Sequence, residues 1–205
     1  MPSQSAEKIY QAATRLFGER SYPSTSMRDI GEAVGILAGS LYSHISSKEA
    51  LLFDIVDTSL DRYLATVSPI ATSPAPADKR LRDAIKAHVK LVGEHVEETL
   101  VALQQWKYLS EPNRKQVVSK RQACADLFTG MIEDGVAAGV FKPVPNRHIA
   151  VAGIMGMLNW VPEWFSPRGP ETAGQIGDDL ADLILSGLAN APRSRSKAPR
   201  ESSVA

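Results

Sequence analysis

Cysteine is all but missing from this chain. Cys124 stands alone among 205 residues, so no disulfide can form within one copy, as suits a reducing compartment. Net charge is also missing: 23 basic side chains balance 23 acidic ones, and bulk electrostatics announce no polyanionic partner. There is no apolar run of about 18 residues and no basic-then-apolar leader, so neither a spanning helix nor a secretory signal is expected. The chain therefore reads as soluble and cytoplasmic. Strand-type alternation and internal repeats are absent too. So are the constellations of common catalysts: no nucleophile elbow, no phosphate-binding glycine loop, no HExxH. His88 and His95 share a helix face, but seven residues set them about 10.5 Å apart along the axis, too far for one metal ion. Cys124 falls mid-helix and reads as a small buried hydrophobe. No catalytic residue, metal site or cofactor is expected.

Helices fill what remains. The first is expected over 5–18, with Ile9, Ala13, Leu16 and Phe17 on one face. After it comes STSMRDIGEAVGILAGSLYSHISSKEALL, the most informative stretch of the chain. Thr25 or Ser26 caps a short helix, and Asp29 three residues after Ser26 completes a capping box. Met27, Ile30, Ala33 and Val34 carry the apolar positions. Gly31 inside that helix costs about 1 kcal/mol relative to Ala. Gly35 ends it, as a residue at ease with positive φ. Ile36, Leu41 and Ile45 turn inward, which leaves Leu37, Ala38, Gly39, Ser40, Ser43 and His44 outside. Such a face of small and hydrogen-bonding side chains suits the second helix of a helix-turn-helix, the one that enters the major groove. The bare pattern also fits many αα-corners; the amphipathic helix before it and the capped one after it argue for the DNA-binding reading.

The stretch resembles the DNA-binding motif of the TetR family of bacterial repressors. The likeness rests on the Thr-Ser entry, Arg-Asp-Ile, Ala-Val-Gly-Ile, Gly-Ser-Leu-Tyr and Ser-Lys-Glu-Ala-Leu. Leu37 departs from the usual Ser or Thr cap, and Ile45 from the usual phenylalanine. The resemblance implies phosphate contacts from Thr25 or Ser26, Tyr42 and Lys48, and base contacts from Leu37, Ala38, Gly39, Ser40 and His44. Arg28 is a further phosphate candidate. Basic and acidic residues balance within 1–50, so hydroxyls, backbone N–H groups and helix N-termini would share the phosphate contacts.

The resemblance extends to an all-α architecture of nine helices. Helix four is expected from about 48 to 70 and a proline-bearing linker over 68–77. Five further helices follow over about 78–95, 97–109, 111–138, 146–165 and 171–188. The expected division is a helix-turn-helix domain at 3–63, a ligand-binding and dimerisation domain at 64–190, and a disordered tail at 191–205. Family members dimerise through their last two helices. Gly153, Gly156, Ile176, Leu180, Leu183, Ile184 and Gly187 are the corresponding interface candidates. Large or adaptable apolar side chains suggest a pocket among helices six to eight, with Trp106, Phe128, Met131, Met155, Trp160 and Trp164 as its lining. Gln104, Gln105 and Asn159 would serve as polar anchors. The segment NWVPEWFSPRGP is similar to actinobacterial members that regulate lipid and sterol catabolism and sense acyl-coenzyme A thioesters. That likeness makes Lys86, Lys90, Lys107, Arg114, Lys120 or Arg121 candidates for the coenzyme phosphates.

The expected function is a homodimeric regulator of a pseudo-palindromic duplex operator, most simply a repressor released by a hydrophobic effector. Two alternatives stay open: an all-α small-molecule-binding protein or enzyme whose helix-turn-helix is only structural, and a DNA-binding regulator without an effector.

Overall fold

The computed structural model describes residues 4–190, so the expected tail at 191–205 lies outside the described residues. Within them the chain forms nine α-helices: α1 (Gln4–Arg20), α2 (Met27–Val34), α3 (Ala38–Leu41), α4 (Lys48–Ala71), α5 (Ala77–Glu94), α6 (Val96–Gln104), α7 (Asn113–Ala137), α8 (Arg147–Trp164) and α9 (Ala173–Leu188). A 3-10 turn, Trp106–Tyr108, separates α6 from α7. One isolated bridge, Phe141 to Ala189, is the only strand-like pairing among the described residues. None of these helices is long and apolar enough to cross a membrane.

Two prolines lie inside helices rather than ending them. Pro69 falls within α4, so the linker shrinks to 72–76. A proline this close to a helix end forfeits little of the ladder, and the Thr72 N–H and hydroxyl both donate to the Ser68 carbonyl to close the end. Pro162 lies likewise within α8, which continues to Trp164. Helix six stops earlier than expected, at Gln104; the residues beyond tighten into the 3-10 turn.

The buried side chains form two cores. The first joins Ile9, Ala13, Leu16 and Phe17 of α1 to Ile30, Leu41, and Leu51, Leu52, Ile55 and Val56 of α4. It does not end with the helix-turn-helix: Val101, Ala102, Leu109 and Val117 belong to it as well. Ala33, expected inside, is exposed, while Gly31 is buried in the face turned to the core. The second core gathers the far half of α4 with α5, α7, α8 and α9. Helix α4 thus runs through both.

Helix α9 packs directly on α5. A Cβ at Gly177 would meet the Lys86 Cα at 3.3 Å, so glycine is what lets the backbones approach. Ion pairs at 2.7 Å, Lys86–Asp178 and Arg82–Asp182, flank the contact. This corrects two expectations. Ile176 and Ile184 are buried against their own subunit's core and are not free to form an interface.

Candidate DNA-binding head and effector cavity

The head is a set of local fixtures. Ser26 caps α2: its hydroxyl oxygen accepts from the Asp29 N–H at 3.1 Å, and its own N–H donates to the Asp29 carboxylate at 2.7 Å. The Ser26 hydroxyl also donates to that carboxylate at 2.6 Å, and these bonds hold Asp29 below the ordinary carboxylate range. Gly35 closes α2 with φ of 77°. Leu37 precedes α3 with no side-chain cap. Ser47 caps α4, accepting from the Ala50 N–H at 3.0 Å.

Leu41 is fully buried and anchors α3 to the core, which fixes what faces out. Leu37 is 81% exposed and Tyr42 57% exposed. Ser26, Arg28, Gly39, Ser40, Ser43 and His44 are exposed around them. Ala38 opens α3, but its side chain lies outside the described residues. A wide apolar side chain, a glycine and two hydroxyls thus share one surface with a phenol beside them. That composition can touch base edges and methyl groups while hydrogen-bonding phosphates. Arg28 pairs with Glu32 on the exposed side of α2.

Two of the expected phosphate contacts are corrected. Thr25 is 1% exposed, and its hydroxyl donates inward, 2.9 Å from the Ser21 carbonyl and 3.2 Å from that of Leu16. Lys48 turns inward as well: its Nζ donates to the carbonyls of Tyr22 at 3.0 Å and Thr25 at 2.7 Å and sits 4.3 Å from the Tyr22 ring centroid. Both side chains build the entry to α2.

The same entry is clasped from behind. The Tyr22 N–H donates to Gln105 Oε1 at 3.1 Å, and the Tyr22 and Tyr108 rings stack at 5.8 Å. Glu49, at the start of α4, accepts from the Ser110 N–H at 3.0 Å, the Ser110 hydroxyl at 2.6 Å and the Asn113 amide at 3.2 Å. The Ser110 bonds hold its carboxyl below the usual range. Residues 105–113 therefore tie the head to the rest of the molecule.

Behind that clasp lies a partly open cavity of about 320 Å³ lined by residues of α4, α5, α6, α7 and α8. Its wall includes Leu60, Tyr63, His88, Leu91, Val92, Trp106, Cys124, Met155 and Asn159. Trp106, Met155 and Asn159 stand where the sequence suggested. Four expected lining residues do not. Phe128 and Met131 are sealed in the second core, while Trp160 and Trp164 are 62% and 51% exposed on α8. Gln104 bonds to Glu163 and Gln105 to Tyr22, so neither is an anchor. Of the basic candidates only Arg121 reaches the wall. Lys86, Lys90, Arg114 and Lys120 pair with Asp178, Glu94, Glu111 and the Asp57–Asp61 pair. Lys107 lies over the Tyr108 ring.

Tyr63 and His88 escaped the sequence reading. His88, Leu91, Val92 and His95 all face the cavity; offsets of three, four and seven residues from His88 make a helix stripe, and the shared face of the two histidines was its visible edge. The His88 Nδ1 lies 3.4 Å from the Tyr63 hydroxyl. Burial lowers the His88 pKa to about 4, against a weaker opposing contact with the Leu158 backbone. Burial likewise raises the Tyr63 phenol and pushes the Cys124 thiol up to about 12. These groups are neutral at pH 7, so this part of the wall offers hydrogen bonds without charge.

A third surface is apolar and uncovered. Ile149, Gly153, Gly156, Met157, Trp160 and Trp164 follow one stripe along α8, and Leu183 and Gly187 lie exposed on α9. Among the described residues, nothing beyond the local helix backbone lies within 4 Å of the position a Cβ would take on Gly153, Gly156 or Gly187. Leu180 is half-buried and leans on the second core.

Residues 9–55 match the family model for bacterial regulatory proteins of the tetR family, and residues 74–188 match that for the tetracyclin repressor-like C-terminal domain. A transcriptional repressor of Mycobacterium tuberculosis, KstR2, is 27% identical over 183 residues, spanning 88% of this chain and 91% of that one. The structure of the regulator PfmR from Thermus thermophilus superposes with a TM-score of 0.80 at 32% identity, over 89% of this chain and 99% of that one. AibR, solved in complex with isovaleryl coenzyme A and operator DNA, superposes with a TM-score of 0.78 at 26% identity, over 91% of this chain and 98% of that one.

Proposed function

We propose that this chain, which belongs to the TetR family of bacterial transcriptional regulators, is a homodimeric repressor that leaves its operator when an acyl-coenzyme A thioester enters the cavity. As a member of that family it is a DNA-binding regulator and not an enzyme. The observation that carries the effector reading is the position of the 3-10 turn. Trp106 lines the cavity, while its neighbour Gln105 holds Tyr22 at the entry to α2.

The DNA-facing group we assign is Ser26, Arg28, Leu37, Ala38, Gly39, Ser40, Tyr42 and His44. One such short helix reads few bases, so two copies on a pseudo-palindrome supply affinity and register. The uncovered stripe of α8, with Leu180, Leu183 and Gly187 of α9, supports a two-fold contact: exposed apolar patches of this kind mark association surfaces. The working division is a DNA-binding part at 3–63 and a ligand-binding and dimerisation part at 64–190, both sharing α4.

The volume and largely apolar walls of the cavity suit an acyl chain or fused-ring body. The AibR complex is a precedent for this effector class. For release, the thioester must bind the detached arrangement more tightly than the DNA-bound one, and operator must weaken thioester binding by the same factor.

Anisotropy titrations on labelled DNA from upstream of the protein's own gene test this. Wild type should bind with steep salt dependence, Tyr42→Ala should weaken binding across sequences, and Leu183→Arg should sediment as a monomer with operator affinity lost, because it buries an unpaired charge twice per dimer. Dodecanoyl-coenzyme A and other acyl thioesters should release the DNA. A folded Leu183→Arg variant that stays dimeric would move the interface elsewhere. Operator binding indifferent to every thioester would remove the effector.

A further inference from the structure

Two guanidinium groups line the cavity, and their circumstances differ. Arg62 is engaged by Glu98, a carboxylate buried between α4 and α6. Arg121 has no such partner. No hydrogen bond or ion pair among the described residues engages its guanidinium, which lies 5.0 Å from the centroid of the Trp106 ring. Carboxylates are not scarce on this side of the molecule: Lys120, one residue earlier, is claimed by Asp57 and Asp61. The polar groups that share the wall with Arg121 carry no negative charge. They are Ser59, Thr99, Gln122, Asn159, the Tyr63 phenol and the Cys124 thiol, with His88 and His95.

A half-buried cation without a counter-charge is a cost to the empty protein, only partly offset by the face of an indole. Desolvation registers in the guanidinium itself, whose pKa it lowers. An arginine is also the side chain best shaped to bind a carboxylate, sulfonate or phosphate through paired N–H bonds. We propose that the cavity takes an amphipathic acid, its anionic group bound by Arg121 and its apolar body laid against Leu91, Val92, Ala125 and Met155. This rests on the effector reading given above and adds the chemistry the effector must carry. It also supplies a route for the signal. Trp106 is the ring Arg121 covers and the first residue of the turn whose neighbour holds Tyr22. An anion that draws Arg121 off that ring acts on the clasp behind the head.

A free carboxylic acid and the phosphates of a coenzyme thioester offer Arg121 the same chemistry, and the experiment separates them. The full-length protein is titrated with anilinonaphthalene sulfonate and with phenylnaphthylamine, one apolar body with and without the anion. Wild type should prefer the sulfonate by about tenfold or more, the difference expected for a charged hydrogen bond. Arg121→Met should keep the neutral dye and lose the preference, and Arg121→Lys should retain part of it. Empty Arg121→Met should also melt higher than wild type, because an unpaired cation has gone. Displacement of the sulfonate dye by dodecanoate and by dodecanoyl-coenzyme A, in wild type and in Arg121→Met, then shows which acid uses the anchor. Equal affinity for the two dyes in wild type, or a preference that survives Arg121→Met, would overturn the anchor and leave the effector reading standing. Arg121→Met that melts lower and keeps the preference would assign the arginine to packing on Trp106. If neither dye enters the folded protein, the anchor and the effector reading fall together.

Discussion

The DNA-facing head and the cavity lie along the same helix, α4, yet they are held by opposite means. In the head, the caps that end and start its helices close within a few residues: Ser26 with Asp29, Gly35 over the end of α2, Ser47 with Ala50; Lys48, reaching back to Tyr22 and Thr25, is the longer tie. Around the cavity, bonds and contacts join distant segments: Tyr63 to His88, Arg62 to Glu98, Trp106 to Arg121. A surface that must present the same groups to every operator gains from local fixtures, which keep its geometry when the rest of the molecule shifts. A cavity that must answer to a ligand gains from contacts between elements, because those are the ones a ligand can alter. The clasp at residues 105–113 is where one kind of construction meets the other.

Acid should separate the two regions most strongly. His88 is buried in the cavity wall, and the folded protein protonates it only near pH 4, against 6.5 for the free side chain. The unfolded chain therefore binds the proton first. Stability is at its full value above about pH 6.5 and falls as the pH drops toward 4, by about 3 kcal/mol in all. Urea melts of wild type and His88→Met at intervals across that range measure the effect as a difference, which cancels the carboxylates common to both. The variant should lose much less stability on acidification. Parallel curves would show that His88 is not the group responsible.

The same contrast decides what was legible in the sequence. Caps, turns and the buried Leu41 are local, so the helix-turn-helix could be read residue by residue, along with the nine helices and their order. Thr25 and Lys48 were misassigned because inward hydroxyls and ammonium groups look the same in sequence as outward ones; what turns Lys48 inward is a pair of carbonyls at Tyr22 and Thr25, more than twenty residues away. The cavity depended on which face of each long helix met which neighbour. Residue size did not reveal that. Phe128 and Met131 fill core, Trp160 and Trp164 face outward, and the wall is shared among residues of every helix from α4 to α8. Helix α9 divides the same way: its close approach to α5 at Gly177 takes Ile176 and Ile184 inward and leaves Leu183 outside.

Cutting the clasp tests whether the two regions are coupled through it. Gln105→Ala leaves the Tyr22 N–H without its acceptor in a partly buried position, a loss of about 1–2 kcal/mol. Chemical denaturation should report that cost. The sharper measurement is the ratio of operator affinities with and without dodecanoyl-coenzyme A. In Gln105→Ala the ratio should move toward one while the DNA and the thioester each still bind. A ratio equal to that of wild type would place the coupling elsewhere in α4 or α6.

The smallest effect should come from a purely local lesion. Ser26→Ala removes the side-chain oxygen that accepts from the Asp29 N–H, while the Ser26 backbone N–H can still donate to the Asp29 carboxylate. Half of the capping box survives, and the cap is exposed, so the freed N–H can turn to water. About 1 kcal/mol is the cost expected for such a cap. It should appear as fraying of α2, and through α2 as weaker operator binding of up to about tenfold. Among the described residues the side-chain bonds of Ser26 go to Asp29 and not toward the cavity, so thioester affinity should be unchanged within error. Amide exchange over 26–34, read beside operator and thioester titrations of the same variant, checks all three statements. Faster exchange confined to α2 with an unaltered cavity is the expected result. A thioester affinity that moves with the cap would mean that the head is not locally held, and that the cavity senses its first helix directly.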